Sequence, residues 1–177
     1  MTNTPKNDRS TRRPDCVTEI RIGNSVLVVS GYFKQDTTAT AANAAAWGEG
    51  MRRLDEAVSA RRSFAFETTL GGHSVAARLK AASSTHDVLM WVCGLASPEL
   101  HIARVQARVA AGGHAIPETK IRERWTASIA NLIALLPDLA EVRVFDNSAS
   151  VAQGEPVPDP VPVAVIQRGR LIWPAGK

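Results

Sequence analysis

A chain of 177 residues, 45% of them apolar, is long enough to bury one core, so one globular domain is expected. A net charge of +4 and a pI near 9.5 permit anionic ligands without selecting one, and they do not describe a polybasic tail. Two cysteines, Cys16 and Cys93, argue against a disulfide framework and for a reducing cytoplasm, and the lack of an 18-residue apolar run argues against a membrane-spanning helix.

In chain order, residues 1–20 are polar, charged and aperiodic; they read as a disordered arm preceding one domain over 21–177. The opening "MTNTPKNDRSTRRPD" lacks the apolar stretch of a secretory leader. Ser25 to Ser30 is a short β-branched run and predicts a strand. A helix is expected from about Thr38 to Arg61, with Met51, Leu54 and Val58 at helical spacing and Asp36 or Thr37 as its cap. "SFAFETTL" predicts a strand, and "GGHSVAARLKAASS" a short helix. "HDVLMWVCGL" is apolar almost throughout, as a central parallel strand covered on both faces would be. "SPELHIARVQARVAAGG" has a helix start at Ser97-Pro98 and a stop at Gly112-Gly113. A second helix runs from near Pro117 to before Pro137, "EVRVFDN" is a strand, and "VAVIQRGRLIWP" is a hairpin turning at Arg168-Gly169. Strands alternating with helices imply an α/β layer fold with a parallel sheet.

Ligands of such sheets collect outside the carboxyl ends of the strands. Gly31 to Thr38, Glu67-Thr68-Thr69 and Asp146-Asn147-Ser148 stand there. A carboxylate beside two hydroxyls can orient a sugar or an alcohol; Glu67-Thr68-Thr69 can equally cap the helix that follows. Arg104 and Arg108 share one helix face at i and i+4, and the turn after them brings His114 and Lys120 near, with Arg122 and Arg124 beyond. An anion would turn their mutual repulsion into attraction. The alternative is a solvated basic face paired with Glu118 and Glu123. Four histidines without ligand spacing make a zinc site an unlikely reading, no G-x-S-x-G elbow occurs, and the arginines lack the aromatic interleaving of a single-strand nucleic-acid platform.

The loop "SGYFKQDTT" has the first glycine and the last threonine of a G-x-x-x-x-G-K-[ST] phosphate cradle, but Asp36 replaces the second glycine and Thr37 the lysine. "RRSFAFETTLGG", "RVQARVAAGGHAIPETKIRERWTASIANL" and "VFDNS" resemble the zeta-toxin family of P-loop kinases, over roughly Ala41 to Gly169. The resemblance implies a three-layer sandwich with a parallel sheet and a small helical lid, and ATP- and Mg²⁺-dependent phosphoryl transfer to an alcohol. It implies a nucleotide or other small phosphoryl acceptor, and an antitoxin protein as a partner. In its terms Glu67, with Thr68 and Thr69, meets the substrate, and Arg104 and Arg108 stabilise the transferring charge. Arg124, beside Lys120 and His114, holds nucleotide phosphate, and Asp36 is the base on the acceptor hydroxyl. The family runs strand, Walker loop and helix before it reaches that aspartate. This chain has one strand before Asp36 and no G-K-[ST] anywhere. "GYFKQDTT" is therefore either a decayed Walker loop or the later aspartate loop. The second reading is preferred, because the chain after Asp36 continues as the family does. Either way a degenerate kinase domain is expected, with weak ATP binding; the alternative is a pseudokinase that binds a nucleotide sugar or a partner protein without turnover.

Overall fold

The computed structural model describes residues 25–30, 40–151 and 155–174, and side chains from Trp47 onward. Among them is a mixed α/β architecture: one six-stranded sheet in the order β2-β1-β3-β4-β5-β6 and four helices. The strands are β1 (Ser25–Ser30), β2 (Phe64–Thr68), β3 (Asp87–Gly94), β4 (Glu141–Asp146), β5 (Val161–Gln167) and β6 (Arg170–Trp173). The helices are α1 (Thr40–Ser59), α2 (His73–Ala82), α3 (Pro98–Ala110) and α4 (Glu118–Leu135). β1 to β4 are mutually parallel; β5 and β6 add an antiparallel hairpin at one edge.

Local chemistry sets these boundaries. Ser97 stands before α3 with its hydroxyl accepting from the Leu100 N–H at 3.2 Å, and Pro98 occupies the first turn, where its missing N–H costs nothing. The helix stops at Gly112, whose φ of +83° a side chain would resist. Gly113 then approaches so closely that a Cβ there would lie 2.6 Å from the Arg108 Cγ. The β5–β6 turn has positive φ at both Arg168 (+46°) and Gly169 (+76°), the conformation that matches a two-residue hairpin to strand twist.

The core lies between one sheet face and the helices. Val88, Met90 and Val142 from the sheet meet Met51 and Leu54 of α1, Val75 and Leu79 of α2, and Leu135 of α4. Leu54 and Leu79 are fully buried, so truncating either to alanine costs about 2–5 kcal/mol. α1 and α2 share that face: Arg78 of α2 reaches Asp55 of α1 at 3.0 Å. The opposite face carries Ala65 and Arg143, exposed, and Leu89, Trp91 and Phe145, half-buried. The second helical layer that a three-layer sandwich requires is not among the described residues.

The winding has a consequence for function. From β1 the chain moves to β2 on one side; from β2 it crosses back over β1 to β3, and from β3 it moves on to β4. The helices of the first two crossovers lie on the same sheet face although the crossovers run in opposite directions, so the two have opposite hands. β3→β4, which runs the same way as β2→β3 with α4 on the same face, shares the hand of the second. Parallel crossovers are right-handed in about 98% of cases. The odd one is β1→β2.

Candidate functional site

The strand order reverses at β1, and the crevice outside the carboxyl ends of the strands at such a point is where α/β sheets bind ligands. A cavity of about 100 Å³ opens there. Thr69 and Leu70 wall it after β2, residues 92–95 at the end of β3, and Trp125, Ser128 and Ile129 along α4. The loop that leaves β1, with Asp36, lies outside the described residues.

The β2 wall is a braced turn. Thr68 is buried, and its hydroxyl accepts from the Leu70 N–H at 3.1 Å. Leu70 has φ +53°, a conformation that costs a branched side chain of order 1–3 kcal/mol and persists only when its surroundings enforce it. Asn131 of α4 supplies the enforcement: its Nδ2 donates to the Leu70 carbonyl at 2.8 Å from a buried position. Gly71 follows against the stem of Arg124, and a Cβ there would stand 3.2 Å from the Arg124 Cγ. α2 begins after Gly72 without any side-chain cap, so Glu67-Thr68-Thr69 does not cap it. Nor do the three residues face one cleft. Thr68 supports the turn and Thr69 lines the cavity. Glu67 is exposed and, as its strand neighbour, points to the other sheet face.

Three of the arginines bear on one buried histidine. His101, Arg104 and Arg108 fall on one stripe of α3 at spacings of three and four, and α3 packs on α4, which contributes Arg124. Burial holds the His101 imidazole below the usual histidine range, and the charges of Arg108, Arg124 and Arg104 push it further the same way. Arg104 Nη2 donates to the Ala149 carbonyl at 2.7 Å, after β4. Arg108 Nη2 donates to the His114 carbonyl at 3.2 Å, while its Nε is buried without an acceptor. Among the described residues no carboxylate pairs with any of the three.

The other basic residues have different surroundings. Arg122 forks onto Glu118 at 2.8 Å and reaches Glu99 at 2.8 Å; Lys120 meets Glu123 at 2.7 Å. Glu99 is held below, and Arg122 above, their ordinary values, each chiefly by the hydrogen bond with the other. Lys120 and His114 are exposed, and His114 joins the cluster only through its carbonyl. Solvated pairing with Glu118 and Glu123 thus describes Arg122 and Lys120, not Arg104, Arg108 and Arg124.

At the end of β4, Asp146 and Ser148 fasten two loops. The Ser148 N–H donates to Asp146 Oδ1 at 2.9 Å and the Ser148 hydroxyl donates to the same oxygen. The Ala96 N–H donates to Ser148 Oγ at 2.7 Å, and Asn147 N–H to the Gly94 carbonyl at 2.9 Å. These bonds fix the N-terminal end of α3, and with it the arginine stripe. Among the described residues no three His, Cys, Asp or Glu side chains group as a metal site, and no helix is long and apolar enough to cross a membrane. From the sequence His101 is read only as a metal ligand, which its spacing argues against, and Asn131 is not singled out. The available signal was a polar residue on the buried stripe of an amphipathic helix, since Asn131 lies four residues before Leu135 and His101 four before Val105.

No family model matches the chain, and no solved structure matches it. A Haemophilus influenzae protein described as an uncharacterized protein is 34% identical over 70 residues, which take in 39% of this chain and 50% of that protein. The chain spans about half the length of that relative.

Proposed function

We propose that the chain is a degenerate kinase domain of the zeta-toxin type, which keeps the arginines that face a phosphoryl group and has lost the cradle that holds ATP. The observation that carries this reading is that Arg104, Arg108 and Arg124 all bear on His101 and, among the described residues, have no carboxylate partner. Guanidiniums left unneutralised on neighbouring helices are suited to a phosphate, which they grip bidentately.

The odd hand of the β1→β2 crossover supports the degenerate form and bears on the loop "GYFKQDTT". A right-handed path from β1 requires a helix on the opposite sheet face and a further strand before α1. The family has a helix and a strand at that point of the chain. Their loss accounts for the hand, and for a second layer not being among the described residues. This favours reading the loop as a decayed Walker sequence, against the preference drawn from the sequence. Asp36 then stands in place of the cradle's second glycine and is not the acceptor base. The three-layer sandwich and its lid belong to the full family architecture.

The residues present do not fit Mg-ATP held as the family holds it. The chain has no G-K-[ST], Thr37 carries no charge where lysine is required, and Asp36 sets a carboxylate against the phosphates. No transfer step is therefore drawn. Losing two or three charge-assisted contacts at about 1.5–3 kcal/mol each removes several orders of magnitude in affinity. Calorimetry with Mg-ATP is expected to give a Kd in the millimolar range; micromolar binding overturns the degenerate reading. A non-catalytic module for a phosphorylated ligand is the second reading. It is favoured by the persistence of the arginine cluster where the cradle is gone, and it predicts saturable binding of a nucleotide sugar without phosphate transfer. An antitoxin-like protein on the same basic surface is the partner this family reading suggests.

A further inference from the structure

Two glycines follow Leu70, and only the first meets another part of the chain. A Cβ added at Gly72 would find open space, whereas one at Gly71 would stand 3.2 Å from the Arg124 Cγ, 3.4 Å from its Cβ and 3.6 Å from its Cα. Neither glycine has a positive φ, so the backbone at Gly71 is one that side chains accept. What crowds a side chain there is Arg124 alone. The contact falls on the aliphatic stem, two bonds before Nε, and so on the part of the side chain that aims the guanidinium.

The turn that carries Gly71 is fastened to the same helix. Asn131, about two turns further along α4, donates from Nδ2 to the Leu70 carbonyl at 2.8 Å, and the Thr68 hydroxyl accepts from the Leu70 N–H at 3.1 Å. Leu70 is itself buried in the core. Gly71 therefore has little room to retreat and stands against the Arg124 stem as a fixed stop. A guanidinium grips an oxyanion bidentately only when its plane is correctly turned, so the place of the stem matters.

We propose that Gly71 is a positioning residue of the anion site: its missing side chain leaves the space in which the Arg124 stem lies against the turn, and so sets where the guanidinium stands. The inference rests on the arginine site described above and adds the element that aims one of its members. Gly71 touches no anion itself. A methyl group at this position makes the stem give by a few tenths of an ångström, a displacement that grows toward the end of the side chain.

Sulfate, a tetrahedral dianion, is the probe, and calorimetry on the full chain measures its affinity. Gly71→Ala is expected to weaken binding roughly threefold to tenfold, since a misplacement of about 1 Å can cost on the order of a hundredfold. Gly72→Ala alters the neighbouring glycine where nothing is touched, and is expected to leave the affinity unchanged. Arg124→Met keeps the stem and removes the guanidinium; in that background Gly71→Ala is expected to have no further effect on sulfate. Asn131→Ala frees the turn from α4 and tests the same coupling a second way, its effect on sulfate being likewise lost in Arg124→Met. A general loosening of the fold would not produce this coupling. Gly71→Ala that weakens sulfate equally with and without the Arg124 guanidinium, or leaves binding intact while Arg124→Met weakens it, overturns the role of Gly71 and leaves the arginine site standing. No sulfate binding by the unaltered chain overturns both.

Discussion

The α3–α4 pair carries two basic regions of opposite design. On its outer side Arg122 and Lys120 are each matched to glutamates on the helix surface, at 2.7–2.8 Å, and all partners are largely exposed. α1 repeats the pattern, where Arg52 and Arg53 hold the exposed Glu49 carboxyl down to about 2. On the inner side Arg104, Arg108 and Arg124 are part-buried, meet carbonyls or a glycine backbone instead of carboxylates among the described residues, and bear on a buried histidine. Charge density alone does not separate the regions. What differs is whether the fold has already neutralised the charge.

The largest effect expected from breaking this contrast is on anion affinity. Replacing Arg108 and Arg124 together by alanine removes two charge-assisted contacts, each of about 1.5–3 kcal/mol, so sulfate affinity falls by at least on the order of a hundredfold. Calorimetry checks it, and circular dichroism confirms that the variant is folded. Next comes the brace behind the cluster. Asn131→Ala strands the buried Leu70 carbonyl and relaxes the turn that seats Arg124, at an expected cost of about 1–3 kcal/mol in urea unfolding. Asn131→Asp replaces the amide donor with a carboxylate and is expected to do no better.

A smaller effect follows from pH. His101 titrates lower in the folded chain than in the unfolded chain, so between the folded value and about 6.5 the unfolded state binds the extra proton. Stability is therefore full above about pH 6.5 and declines as pH falls through that window. His101→Gln flattens the decline, as thermal unfolding at pH 7.5 and pH 5.5 would show. The smallest effect belongs to the outer region: Arg122→Ala changes sulfate affinity by no more than about twofold, because exposed ion pairs are screened and the cluster does not depend on them.

Much of the element order was legible in the sequence. The β-branched run at Ser25, the apolar run through Met90 and the Ser97-Pro98 cap each express local chemistry, and α3, β3 and the Arg168-Gly169 turn form where that chemistry places them. Arg104, Arg108 and Arg124 were picked out by helical spacing and by resemblance, and all three bear electrostatically on His101. What the sequence concealed are relations between distant segments. Thr68 looked like a ligand because a threonine at a strand end is a good one; its hydroxyl is instead committed to Leu70 N–H, and that turn depends on Asn131, 61 residues further on. The hand of the first crossover is likewise invisible before the strand order is known.

The central claim is that the inner arginines, and not the outer ones, meet an anion at the carboxyl edge of the sheet. Arginine Nε–Hε resonances report on each guanidinium separately, so a titration of the full chain with sulfate followed by ¹⁵N NMR tests it most directly. The account predicts saturable shifts at Arg104, Arg108 and Arg124 with one common affinity, and none at Arg122. Shifts spread evenly over all the arginines, or largest at Arg122, would contradict it.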